Sequence, residues 1–393
     1  MRNAVINQLR AGRRQSKQAP HLDDLLGSLC SSGIKNFCRK HSIEPSSIDL
    51  VGIHSEALRL SNAQHNPDGT PEHPLHWKSV VAAETRISTI FDFTIIERAV
   101  VRPRAHPTTY IDRVFLRHPS KFRVSLNIDE IASLSFIPAN GDHDARVTIS
   151  RNVGPGSLLI DYAMRYCTSN DQSEDHDGKV GSRGIVNQDI ADRFLDAHDY
   201  LRFPPSQHIA TEMFGDHEAQ QLIDECLYSN MSEIDTLATV TRITAQNILK
   251  QYRRLLQLFF QPDQQVDELF IGGRSARNSN IIDYLESELP ESVITKPLSD
   301  IGIPGDAHET VCYAHLGLEA VLNQVTQAAG ASLAPTSACP NADAVRVKVV
   351  PGRRWDELIS NVLEFEGCQQ VHVATDVRNE GSLEGTVQGM GVR

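Results

Sequence analysis

The sequence lacks the features that mark a membrane protein, a disulfide scaffold or a zinc site. No apolar run approaches the roughly 20 residues that cross a bilayer. Its seven cysteines (30, 38, 167, 226, 312, 339, 368) are scattered, odd in number and without a C-x-x-C pair, which is the usage of a reducing compartment. Positive charge is scarce: 38 Lys plus Arg stand against 50 Asp plus Glu, for a net charge of −12. A surface of that sign repels phosphate backbones, so nucleic acid is not expected as a partner, and neither is a membrane. Two phosphate-binding signatures are also missing. There is no G-x-x-x-x-G-K-[ST] and no G-x-G-x-x-G after a strand, which argues against a P-loop and a Rossmann dinucleotide site. Nothing repeats internally.

What is present fits a globular α/β protein. The 393 residues are 40% apolar and 22% charged, enough for two cores and too apolar for wholesale disorder. Arg2, Arg10, Arg13, Arg14 and Lys17 precede the first acid, Asp23. A transit peptide has that bias. A basic first helix is the preferred reading, since Leu25, Leu29, Ile34 and Phe37 follow at helical spacing, and a cytoplasmic location is expected.

Periodicity predicts a helix over 25–41, strands over 48–54 and 87–93, and a hairpin from 122–128 and 131–137. Helices are predicted over 158–167, 187–199, 216–228 and 232–260, then a strand over 267–271 and helices over 280–288 and 307–324. Ser157 is placed to cap the 158–167 helix. This alternation suggests two lobes, residues 1–150 and 151–370, with a frayed, glycine-rich tail over 371–393.

Three glycine turns stand at strand–helix joints: Gly154-Pro155-Gly156, Gly272-Gly273 and Gly302-Ile303-Pro304-Gly305-Asp306. Backbone amides of such turns can cradle phosphate, because glycine permits close approach and a helix N-terminus carries partial positive charge. Carboxylates at strand ends, Asp92, Glu97, Asp129 and Glu130, are the candidates to orient a nucleophile or hold Mg²⁺ in phosphoryl transfer. The loop Glu174-Asp175-His176-Asp177-Gly178 could suggest a metal, but its groups all lie in one segment and read as a solvated turn.

Six strings, in order, carry a resemblance: LNIDEIASLSFIP (126–138), GPGSLLID (154–161), DGKVGSRG (177–184), LATVTRITAQNI (237–248), IGGRSARN (271–278) and GIPGDAHE (302–309). They resemble the motifs of the anhydro-N-acetylmuramic acid kinase family, and within it the fungal levoglucosan-kinase branch. The resemblance implies an actin–hexokinase-like fold of two ribonuclease-H-like lobes. It also implies Mg-ATP as cofactor and a 1,6-anhydro sugar as substrate, opened by water while its 6-oxygen takes the γ-phosphoryl group. A homodimer is the assembly it allows. By position, Glu97 stands at the family's catalytic aspartate. Asn127 and Asp129 lie on a phosphate hairpin, and Gly154, Gly156 and Asp161 on a cleft loop. Gly272, Gly273 and Asn278 resemble the nucleotide-side turn, while His54 and Glu309 resemble sugar-side positions.

The chain departs from the family pattern where phosphate is handled. It begins in what looks like the helix that follows the family's first strand and G-T-S-x-D-G loop, so the first lobe is expected to lack that strand. The hairpin reads Asn-Ile-Asp-Glu where the family has N-I-G-G. A carboxylate about 4 Å from a phosphate charge costs on the order of 4 kcal/mol at an effective dielectric near 20. The stretch PPSQHIATEMF (204–214) lacks the family's lysine and arginine and keeps Glu212. Kinase activity is therefore expected to be weak or lost. The alternatives are a non-catalytic homologue (a pseudokinase acting as a binding protein) and a truncated gene model.

Overall fold

The computed structural model describes residues 19–53, 76–96, 108–139, 148–200, 216–328 and 344–365. The chain is mixed α/β and divides into two units, one of Met1–Pro103 with Tyr313–Arg393, the other of Arg104–Cys312. In the first unit the described elements are α1 (Ala19–Lys40), β1 (Leu50–Ile53), α2 (His76–Thr85) and β2 (Ser88–Ile96). They are joined by β8 (Ala344–Val350) and α10 (Trp355–Phe365). Strand β2 is central, parallel to β1 and antiparallel to β8. Helix α1 packs on α2 so closely that a Cβ at Gly27 would lie 2.5 Å from Val80 Cβ.

The second unit is built on a five-stranded sheet ordered β5-β4-β3-β6-β7, with β3 (Arg123–Ile128), β4 (Ile131–Ile137), β5 (Ile149–Pro155), β6 (Glu268–Gly272) and β7 (Ile294–Pro297). β3, β4 and β5 form an antiparallel meander, and β6 and β7 add in parallel on the other side of β3. That is the ribonuclease-H-like sheet order. The period-2 pattern of β6 shows how both faces are covered. Leu269 and Ile271 join the larger core with Val124, Leu126 and Leu134, while Phe270 joins Ile111, Leu116, Leu298 and Cys312 on the opposite face.

Helices α3 (Thr108–Leu116), α4 (Leu158–Cys167), α5 (Gln188–Ala197), α6 (Asp216–Tyr228), α7 (Glu233–Phe259) and α8 (Ser279–Glu288) complete this unit, and α9 (His308–Ala328) starts in it. Helix α7 starts where expected because the Ser232 side chain accepts the Asp235 amide. At the opening of β6, Glu268 is 1% exposed and takes Lys121, Arg123 and Lys296 at 2.5, 2.7 and 2.7 Å.

The division expected near residue 150 is corrected by the pairing. Strand β5 crosses that position and pairs with β4, so the hairpin before 150 and the helices after it share one sheet. The later boundary moves as well, since β8 pairs with β2 of the first unit. Helix α3 and strands β5 and β8 were not signalled by the sequence. The 371–393 tail lies outside the described residues. No helix among the described residues is long and apolar enough to cross a membrane.

Candidate functional site

Strands β3 and β6 run parallel with Asn127 opposite Gly272, so their turns leave the sheet side by side. Gly273 has φ +93, and a Cβ there would lie 2.6 Å from the backbone of Ile128, so only glycine lets the two turns approach. The contact is then sealed by hydrogen bonds. Ser275 N–H donates to the Ile128 carbonyl at 3.0 Å, Gly273 N–H to the Gly305 carbonyl at 2.7 Å, and Arg274 N–H to Asp129 Oδ1 at 2.9 Å. A third segment closes on the same turn. Gly156 and Leu158 donate to the Glu130 carbonyl at 2.9 and 3.3 Å, and Ser157 to the Asp129 carbonyl at 2.7 Å.

Side chains gather over this junction. The Arg274 guanidinium donates to Ser157 Oγ at 3.1 Å and stands 3.6 Å from Asp161 and 3.8 Å from Glu130. Ser157 Oγ donates in turn to Asp161 at 2.9 Å. Burial pushes the Asp161 carboxyl up to about 6, only partly offset by the Ser157 hydroxyl and the Arg274 charge. Beneath the turn, Asn127 Nδ2 donates to Asp129 Oδ2 at 2.8 Å, and Asn127 Oδ1 lies 3.4 Å from His308 Nδ1. His308 Nε2 is 2.7 Å from Asp112, and Asn127, His308 and Asp112 are all buried. Burial works against charge on His308, but the Asp112 hydrogen bond and charge, with Asp129 and Glu309, lift its pKa above the usual histidine value.

Of the residues expected from the sequence, Asn127, Asp129, Gly156, Asp161, Gly272 and Gly273 meet here, and Glu309 follows His308 at the start of α9. Gly154 lies next to the site with φ +124, where a Cβ would meet Asn247 at 2.5 Å. Asn247 holds the strand by donating to the Val153 carbonyl at 2.7 Å. Asn278 has a different place. It caps α8 by accepting the Asn280 amide at 3.1 Å, a bond worth about 1 kcal/mol, and it is buried. Ser157 does not cap α4, because its hydroxyl serves Asp161 instead. His54, Glu97 and Glu212 lie outside the described residues, as does the side chain of Asp92.

The 174–178 loop is solvated at Glu174 and His176, as expected, but is anchored by one buried acid. Asp175 is buried and accepts the amides of Val180 and Gly181 at 2.8 and 2.9 Å. No group of three or more His, Cys, Asp or Glu among the described residues is placed to hold a metal ion. Sequence reasoning missed Arg274, although it sits inside the IGGRSARN string, and the Asp112–His308 pair, whose members are 196 residues apart.

Several backbone donors of this site are already bonded within the chain. The amides of Gly156, Ser157 and Leu158 are spent on the hairpin carbonyls, those of Gly273 and Ser275 on other carbonyls, and that of Arg274 on a carboxylate. In the first two glycine turns, the Gly156 and Gly273 amides are thus bonded within the chain.

In comparisons with known proteins, the family model described as "Anhydro-N-acetylmuramic acid kinase" matches residues 1–337. The chain is 28% identical over 323 residues to an anhydro-N-acetylmuramic acid kinase of Caldanaerobacter subterraneus subsp. tengcongensis, covering 79% of this chain and 78% of that protein. It is 27% identical over 295 residues to one of Bacillus cereus, covering 75% and 74%. Among solved structures, the activator of the 2-hydroxyisocaproyl-CoA dehydratase from Clostridium difficile with bound ADPNP aligns with TM-score 0.32 and 13% identity. That alignment covers 53% of this chain and 64% of the activator.

Proposed function

With its family match running over residues 1–337, the chain belongs to the anhydro-N-acetylmuramic acid kinase family, and we propose that its reaction class is the Mg-ATP-dependent opening and 6-phosphorylation of a 1,6-anhydro sugar, carried out weakly or not at all. Amino-sugar metabolism is its setting by descent. The finer assignment, from the resemblance carried by the six ordered strings, is the levoglucosan branch. A cytoplasmic enzyme or pseudokinase that forms a homodimer completes the reading.

The observation that carries the weak-activity half is the set of turn amides already bonded within the chain. Phosphoryl transfer depends on positioning and on electrostatic stabilisation of the phosphoryl oxygens. Here the Arg274 amide is held by Asp129, and Glu130 adds a second carboxylate on the same turn. The residues proposed to face the nucleotide side are Asn127, Asp129, Gly272 and Gly273. Asp161 and Glu309, with His54, are proposed for the sugar side, and Glu97 as the base. If Glu97 replaces a shorter acid at that position, a displacement near 1 Å lowers the rate by roughly 10²-fold.

A coupled ADP-release assay with anhydro-N-acetylmuramic acid and with levoglucosan, with and without Mg²⁺, tests the reading. Turnover near background with both sugars is expected. Brisk magnesium-dependent turnover with either would overturn the weak-activity claim, and ADP release on an unrelated sugar alone would overturn the substrate class. Light scattering on the full chain checks the dimer.

A further inference from the structure

We propose that Asp129 is a resident anion: its carboxylate occupies the donor pair at the end of β3 and β6 that would otherwise receive a phosphoryl oxygen, so the site is closed by one of its own residues. This rests on the reading above that these two turns face the nucleotide.

The two donors are of different kinds. One is the Arg274 amide, on a turn whose direction is set by the left-handed Gly273. The other is the Asn127 side-chain amide, one residue before the end of β3. A carboxylate can only accept, so Asn127 must present its NH₂ group to Asp129 and its oxygen to His308. His308 Nδ1 must then donate, and its Nε2 faces the Asp112 carboxylate at 2.7 Å. Hydrogen-bond accounting therefore requires the His308–Asp112 pair to hold one proton more than neutral imidazole plus carboxylate. Asn127, His308 and Asp112 are 4%, 1% and 3% exposed, so this wall is fixed by packing and does not depend on Asp129. Asp129 itself is half-buried and Arg274 is exposed, so the carboxylate sits on the solvent side of the donors.

Chemistry then identifies the class of ligand that competes. Two N–H donors converge on an anion, and a guanidinium stands 3.6–3.8 Å from the neighbouring Asp161 and Glu130 carboxylates. An anionic tetrahedral oxygen group, such as the end of a polyphosphate, satisfies the same donors. It cannot share them with Asp129, because two like charges at hydrogen-bond distance repel. The tethered carboxylate needs no translational entropy to occupy the place, so it outcompetes a free anion of similar intrinsic affinity.

The test is calorimetric titration of the full chain with sodium tripolyphosphate and with Mg-ATP, using wild type, Asp129→Ala, Asp129→Asn and, as a control for total charge, Asp189→Asn at an exposed position of α5. Hydrogen exchange of β3 and β6 is followed in parallel to check that the sheet is intact. Asp129→Ala is expected to bind tripolyphosphate at least tenfold more tightly than wild type, and Asp129→Asn, which keeps an acceptor for Arg274 N–H, by a smaller factor. Asp189→Asn should match wild type. Folded Asp129 variants with unchanged affinity would overturn the proposal. So would an equal gain in Asp189→Asn, or loss of the fold in both Asp129 variants, which would make Asp129 a structural clamp. A gain in polyphosphate binding together with ADP release on an unrelated sugar alone sustains the resident anion while the substrate reading fails. Tight Mg-ATP binding by wild type together with weak ADP release on an anhydro sugar does the reverse.

Discussion

Glu268→Gln perturbs the far ends of the strands whose other ends carry the site. The wild-type carboxylate is buried, which alone would raise its pKa. The hydrogen bonds from Lys121, Lys296 and Arg123 outweigh burial and hold it at about 2 instead of 4.5. At 1.36 kcal/mol per unit that difference is worth ~3 kcal/mol, and because the Lys121 and Lys296 side chains are 40% and 32% exposed, solvent screening trims it to ~2 kcal/mol. A depressed acid stabilises the fold fully above its unfolded pKa, and that contribution is lost as pH falls from 4.5 toward about 2. Glutamine keeps the shape but leaves three cations without their anion. Trp77 and Trp355 both belong to the other unit, so fluorescence does not report this sheet. Hydrogen exchange of peptides covering β3 and β6, compared between wild type and variant at each pH, does. Protection in the variant should fall by roughly 30-fold at pH 7. At pH 3 about half of that free-energy gap should remain. No gap at pH 7, or an equal gap at both values, would refute the reasoning.

Three further outcomes are expected. Gly156→Ala puts a Cβ onto the Asp129 carbonyl oxygen and should cost about 3 kcal/mol or more of stability, read as a lowered urea midpoint. His308→Gln removes a histidine whose folded pKa is raised. The advantage of wild type over the variant should be complete below pH 6.5 and shrink as pH rises through the elevated folded value, measured by urea titration across pH 5–9. Asp161→Asn should do the opposite of an ordinary charge deletion. The folded carboxyl titrates near 6 against 3.8 unfolded, so ionisation penalises the fold as pH rises. The variant should be near neutral at pH 4 and more stable than wild type at pH 8, by up to ~3 kcal/mol. A variant less stable than wild type at pH 8 would mean that Arg274 offsets the burial of Asp161.

The local signals in this chain are strong where one element is decided by its own residues. The period-2 runs RVSLNI and IASLSFI gave the hairpin, and Ser232 at the head of a long periodic stretch gave α7. The glycine turns were legible as places where backbone can be approached closely, but what approaches at 156 and 273 is the chain's own backbone. What those approaches accomplish was not legible. A Gly-Pro-Gly turn before a helix reads as an open anion cradle, yet its amides are consumed by carbonyls of a hairpin some 25 residues earlier.

The sequence by itself determined the family, the α/β alternation and the identity of the carboxylates on the β3–β4 turn, since these are properties of neighbouring residues and ordered strings. Tertiary structure alone decided which amides remain available, that Asn278 caps a helix while Asp129 takes the Arg274 amide, and that Asp112 and His308 meet. Hydrogen-bond partnership between segments far apart in the chain depends on strand register and burial. Neither leaves a mark on the spacing of residues along one segment.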